Sequence, residues 1–181
     1  GGVTFSTITD SVRTFFAGLG SGDGYPYQIS GMVIGDASVT NSDLVLLYDD
    51  SVKVLDTTAK ELSSISHKYD HPVMQSNSGR VLLYDEGGNV QTKTRTLYEK
   101  EIKYMILTGS LGKDGSVAIA TRAEDAQSML TVYNSKEKEI FVWKCAKENI
   151  ISCDVSDNGK LIAVSVLGVE NGSVYSKVYI F

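Results

Sequence analysis

Three groups of residues in this 181-residue chain are of types that could do chemistry. The stretch GLGSGDGYPY, residues 18–27, is the densest run of glycine and would have to act as a phosphate cradle. A dinucleotide loop of the form G-x-G-x-x-G follows a strand and opens a helix, so that free N–H groups meet the phosphate. Gly18, Gly20, Gly22 and Gly24 are spaced by two and follow a helical pattern instead, so the stretch reads as a joint packed through Tyr25 and Tyr27. The second group is HKYDH, in which His67, Asp70 and His71 offer two imidazoles and a carboxylate. Zinc motifs with that spacing hold both histidines on one helix face. Pro72 follows at once and no third ligand is visible, so the segment reads as a surface loop between strands.

The third group recurs. Acidic pairs stand just after successive apolar bursts: Asp49-Asp50, Asp85-Glu86 and Glu124-Asp125, weakening to Glu170-Asn171. Polar residues are what hairpin turns ordinarily contain, which is explanation enough for any one pair. Equivalent loops would nonetheless gather Asp49, Asp50, Asp85, Glu86, Glu124 and Asp125 on one rim, a candidate acidic binding face. Mutual repulsion there would raise some of their pKa values unless a cation or basic side chain intervenes. Calcium wants about six to eight oxygen ligands in close array, so a diffuse, salt-screened attraction for a basic partner suits the rim better than a tight metal site. No catalytic set, cofactor site or metal site is expected.

Composition narrows the classes. The hydrophobic fraction of 42%, charged fraction of 22%, ten tyrosines and two prolines describe a folded protein. With a net charge of -5 and scattered Lys and Arg, no basic surface is expected to draw nucleic acid. No apolar run approaches the roughly 18 residues of a membrane helix, so no membrane insertion is expected within this segment. Cys145 and Cys153 alternate with apolar neighbours (Phe141 and Trp143; Ile151 and Val155) and read as buried free thiols.

The elements that position these groups follow from periodicity. From Ser6 to Leu19, Ile8, Val12, Phe15, Phe16 and Leu19 fall on one helical face, with Thr9 or Asp10 to cap the start and Gly18 to end it. After Tyr27 four short bursts superimpose: SDLVLLYDD, GRVLLYDEG, GSVAIATRA and GKLIAVSVL. Their apolar starts Val45, Val81, Val117 and Leu161 lie 36, 36 and 44 residues apart. Asn41-Ser42-Asp43, Asn77-Ser78-Gly79, Lys113-Asp114-Gly115 and Asp157-Asn158-Gly159 precede them and favour tight antiparallel turns. The bursts are apolar at consecutive positions, so both faces of each strand must be covered. Radially stacked blades do that, whereas a β-sandwich, the alternative, has no reason to repeat its turns. The expected fold is all-β, a β-propeller or partial arc of about four blades, preceded by one short helix. Residues 1–27 form the N-terminal strand, helix and joint, and the repeats cover about 28–66, 67–103, 104–148 and 149–181.

Several segments carry a family likeness. VSDNGKLIAV (155–164) is similar to a blade element of WD40-like propellers, although no WD or GH dipeptide is present. FFAGLGSGDGYPYQISG (15–31), SMLTVYNSKEKEIFVWK (128–144) and the closing SKVYIF resemble an uncharacterised family of bacterial, mostly membrane-anchored, propeller-like domains. The resemblance implies an anchor preceding this segment and a domain outside the cytoplasm, and supplies no catalytic residue. The expected function is a noncatalytic extracytoplasmic interaction or ligand-binding module whose partner is a protein or cell-surface ligand. The alternatives are a piece of a propeller enzyme, such as a hydrolase or lyase, or a structural spacer. An open arc also exposes terminal blades, predicting either closure by Val3–Ser6 pairing beside Ser176–Phe181 or self-association.

Overall fold

The computed structural model describes residues 2–7, 22–26, 28, 33–88 and 99–181. Among them every regular element is a strand: β1 (Gly2–Thr7), β2 (Val33–Thr40), β3 (Asp43–Tyr48), β4 (Ser51–Leu55), β5 (Glu61–Ser66), β6 (Pro72–Asn77), β7 (Arg80–Asp85) and β8 (Glu99–Glu101) in the first half. The second half holds β9 (Ile106–Leu111), β10 (Val117–Thr121), β11 (Ser128–Tyr133), β12 (Glu139–Cys145), β13 (Asn149–Val155), β14 (Ile162–Glu170) and β15 (Ser173–Ile180). They form four antiparallel sheets: sheet 1 in order β2-β3-β4-β5, sheet 2 in order β6-β7-β1-β8, sheet 3 in order β9-β10-β11-β12 and sheet 4 in order β13-β14-β15.

The doubly apolar bursts are the central strands, and their side chains hold the stack together. Val45 and Leu47 of β3 meet Met74, Val81 and Leu83 of sheet 2. On the opposite face of β7, Leu82 and Tyr84 meet Ile106, Val117 and Ile119 of sheet 3. On the opposite face of β10, Ala118 and Ala120, with Leu130 and Val132 of β11, meet Ile150, Val164 and Val166 of sheet 4. Sheets 2 and 3 therefore each supply one wall of two successive cores, the packing of a propeller-like stack.

The tight turns that open each central strand interlock at one end of the stack. Thr40 Oγ1 accepts from Gly79 N at 2.8 Å, and Arg80 Nη1 donates to the Asp114 carbonyl at 2.6 Å. Asp114 N donates to the Asp157 carbonyl at 3.1 Å, and Lys113 Nζ reaches the Asp157 carboxylate at 2.6 Å. Asn41, Ser78, Gly79, Gly115 and Gly159 all have positive φ there. At Gly159, with φ of 65°, a Cβ would stand 2.3 Å from Asp114 Oδ2, so glycine is demanded by both conformation and space.

Several expectations are corrected. The N-terminal strand does not pair beside Ser176–Phe181. It lies between β7 and β8, with Val3 opposite Tyr84 and Thr7 opposite Arg80 on one side and Gly2 opposite Glu101 on the other. Its ladder gives β7 a second neighbour, which makes that doubly apolar strand interior to its sheet. Ser6 and Thr7 belong to this strand and not to a helix, and the rest of the expected helix lies outside the described residues. Strand β14 begins at Ile162, leaving Leu161 exposed, and its side chains alternate between buried and exposed where burial on both faces was expected. The parity that grouped Ile151 with Cys153 is broken by a bulge between Ile150 and Ser152, which turns Ile151 outward. Of the glycine stretch, Gly22 packs where a Cβ would be 2.4 Å from Lys60 N, and Tyr25 Oη donates to the Asp56 carbonyl at 3.1 Å.

His67 closes the link from sheet 1 to sheet 2. Its ring is buried and stacked on Tyr69, its Nε2 donates to the Tyr48 carbonyl at 3.1 Å, and its Nδ1 accepts from Tyr69 N at 3.3 Å. That pattern needs a neutral imidazole. Burial holds its pKa below the ordinary 6.5, against the opposing pull of the Tyr48 carbonyl and of Asp50, Asp85 and Asp49. The unfolded chain then binds the proton more tightly, so this part of the stability is present above about 6.5 and is lost as the pH falls toward the folded pKa. Thermal unfolding followed from neutral to mildly acidic pH should show a steeper loss for the native protein than for His67→Gln. Parallel profiles would contradict this role.

Candidate functional site

The acidic pairs follow the second strand of sheets 1, 2 and 3, and so stand at the end of the stack opposite the interlocked turns. They do not share one environment. Asp49 and Asp50 are exposed in the β3–β4 turn, where Asp50 Oδ1 accepts from Ser51 Oγ at 2.7 Å. Asp85 is buried, accepting from His71 N at 2.7 Å through Oδ1, while its Oδ2 has no hydrogen-bond partner; Glu86 is exposed. Glu124 accepts from Tyr104 Oη at 3.1 Å and from Lys103 Nζ at 3.3 Å, and Asp125 pairs with Lys144 at 2.6 Å. The hydrogen bonds and positive charges of these neighbours lower the pKa of Glu124 and of Asp125, so at this pair basic side chains intervene and repulsion does not dominate. Asp70 and His71 are exposed, and His67 is committed to the backbone. Among the described residues no group of three His, Cys, Asp or Glu side chains could hold a metal ion.

A different surface emerges on sheet 4. The register pairs Ala163 with Ile180, Ser165 with Val178, Leu167 with Ser176 and Val169 with Val174, all on the face turned away from sheet 3. These eight residues include no charge. Leu167, Val169, Val174, Val178 and Ile180 are between 41% and 70% exposed, and Ile151 joins them at 53%. The corresponding face of sheet 3 is built the same way, with small Ala118 and Ala120 paired to branched Val132 and Leu130, and there sheet 4 covers it completely. The outward residues at the other end of the stack, Leu46, Tyr48 and Leu55 of sheet 1, are buried. The two ends therefore differ, and sheet 4 presents the open one.

Sheet 4 is clipped to sheet 3 through Glu148. Its carboxylate accepts from Cys145 Sγ at 3.2 Å and Tyr175 Oη at 2.9 Å and faces Lys177 Nζ at 3.5 Å. The Cys145 and Tyr175 hydrogen bonds lower its pKa. Both cysteines are free; burial and the Glu148 contact push Cys145 up, and burial pushes Cys153 to about 12, so neither is an activated nucleophile. Phe141 and Trp143 of β12 close the seam against Tyr179 and Phe181, with Trp143 5.0 Å from each. The open face was not found from the sequence. Its signal lay in SVYSKVYI, where aliphatic Val174, Val178 and Ile180 share one parity and Tyr175, Lys177 and Tyr179 the other, unlike the aliphatic bursts of the inner strands.

Stacked antiparallel sheets joined by repeated turns define a propeller-like all-β protein. The sequence profile described as a family of unknown function, DUF5711, matches residues 35–181, and the chain belongs to that family. No curated protein matches the chain. Among solved structures, Kluyveromyces lactis Hsv2p superposes with a TM-score of 0.50 at 14% identity, over 80% of this chain and 50% of that one. The tricorn protease superposes with a TM-score of 0.47 at 14% identity, over 81% of this chain and 15% of that one. The chain spans about half the length of Hsv2p. The Hsv2p likeness is one of fold alone.

Val164 and Val178 lie on opposite faces of sheet 4, the first fully buried and the second 64% exposed. Val164→Ala should cost about 2 kcal/mol for the lost methyls and their cavity, and Val178→Ala no more than about 0.5 kcal/mol. Denaturant unfolding of dilute protein measures both. Equal costs would mean that the outer face is covered within the monomer.

Proposed function

We propose that this protein is a noncatalytic interaction module, a propeller-like arc of four blades working outside the cytoplasm, which docks through the outer face of sheet 4. The observation that carries the reading is the uncharged aliphatic face of β14 and β15, built like the covered face of sheet 3 and left open. The occupant is a second copy, packed face to face. An isologous contact sets a surface against itself, which a face without charge tolerates. The six exposed aliphatic side chains amount to roughly 600 Å² per copy, close to the ~800 Å² per partner of a standard interface once a polar rim is added. A head-to-tail arrangement would need the outward residues of sheet 1, and those are already buried.

The extracytoplasmic setting rests on the likeness of the repeats to anchored propeller-like domains. The acidic end serves as a weaker, salt-screened contact for basic partners, carried by Asp49, Asp50 and Glu86, since Glu124 and Asp125 already have lysine partners.

Light scattering on size-exclusion fractions at high micromolar concentration should give a dimer. Val174→Lys combined with Val178→Glu should give a monomer with unchanged circular dichroism. A monomeric native protein, or a double variant that still dimerises, would overturn the second-copy reading.

A further inference from the structure

The seam between sheets 2 and 3 is not filled as the next one is. Stacked blades splay apart toward their outer strands, and between sheets 3 and 4 the widening is filled by Phe141, Trp143, Tyr179 and Phe181. On the other face of sheet 3 the outer strands carry Met129, Thr131, Tyr133 and Glu139, and a cavity of about 160 Å³ remains. Ile119 and Thr121 of β10 also line it, and Ile102, Lys103 and Tyr104, between β8 and β9, form another part of its wall. The cavity opens to solvent beside Glu139, and its volume is of the order that admits a benzene ring, about 150 Å³.

The lining is selective. Ile102, Ile119 and Met129 offer an apolar body site. Thr121 is buried, and its Oγ1 has no hydrogen-bond partner. Two charges stand at the cavity, and they differ in availability. Lys103 Nζ is held by Glu124 at 3.3 Å and Tyr104 Oη at 3.2 Å and lies 4.9 Å from the Tyr104 ring. Glu139 is exposed, and among the described residues no cation pairs with it. Its charge also reaches the Tyr133 phenol, which burial, ahead of Glu139, drives above the ordinary value.

We propose that this cavity is a binding site for a small primary amine with a single-ring or branched aliphatic body, its ammonium on the Glu139 carboxylate and its body between Ile102, Ile119 and Met129. An ammonium there gains a carboxylate that no described cation pairs with and the neighbouring tyrosine rings, whereas a carboxylate ligand would face Glu139 and find Lys103 already paired. The site lies in a different seam from the docking face of sheet 4, so either can fail while the other stands.

Methyl NMR of the native protein titrated with benzylamine, benzyl alcohol and benzoate tests it. Benzylamine should shift Met129, Ile119, Thr121 and Thr131 methyls and bind at least about tenfold tighter than the other two, a factor worth ~1.4 kcal/mol. The exposed substitution Glu139→Gln should remove that preference while the fold persists, and Met129→Trp should block all three probes. Shifts confined to other residues, equal binding of the three probes, an undiminished preference in Glu139→Gln, or binding that survives Met129→Trp would each overturn the site.

Discussion

Strands β3, β7 and β10 are apolar on both faces, and a sheet built around such a strand has to be covered twice. A sandwich covers one face of each sheet; a stack of sheets covers both. That requirement explains the order of the cores: Val45 and Leu47 against sheet 2, Leu82 and Tyr84 against sheet 3, Ala118 and Ala120 against sheet 4. It also accounts for the alternation in β14. Val164 and Val166 face sheet 3, while Ala163 and Leu167 face outward with no described sheet beyond them. Removing sheet 4 would expose Leu130 and Val132 in turn, so a sheet stacked on one side only carries such a face.

Much of this was written in local sequence. Asn41, Gly79, Gly115 and Gly159 mark turns whose positive φ is a local demand, and consecutive apolar residues in VLLY and VAIA require double coverage wherever they lie. What was not legible depends on distance in space. The insertion of β1 between β7 and β8 joins segments far apart in the chain, and nothing in GVTFST says which edge it will choose. The Ile151 bulge shifts parity by one residue without a glycine to announce it. Asp85, read as a rim acid, is buried because its carboxylate caps the His71 amide fourteen residues back, a partner set by packing and not by spacing. The lysines beside Glu124 and Asp125 are likewise brought in from the segment before β9 and from β12.

The stack is held together in several ways. All three seams hold fully buried side chains, the interlocked turns tie neighbouring sheets at one end, and Glu148 fastens sheet 4 from behind. The two contact surfaces proposed above fall where that packing is incomplete: the bare side of sheet 4 and the unfilled wedge between sheets 2 and 3. Neither place requires an activated nucleophile, in keeping with thiols that burial holds protonated.

The central claim is that coverage on both faces sets local stability and that sheet 4 is covered on one face only. Native-state hydrogen exchange of backbone amides, read residue by residue in dilute protein, tests it most directly. Amides of β10 hydrogen-bonded to β9 and β11 should exchange only through global unfolding, while those of β14 bonded to β15 should exchange earlier through a smaller opening, an order that follows local coverage. On raising the protein concentration the β14 amides should slow and the β10 amides should not. If β14 and β10 share one protection level in the dilute monomer, the outer face of sheet 4 is not open and the account is wrong.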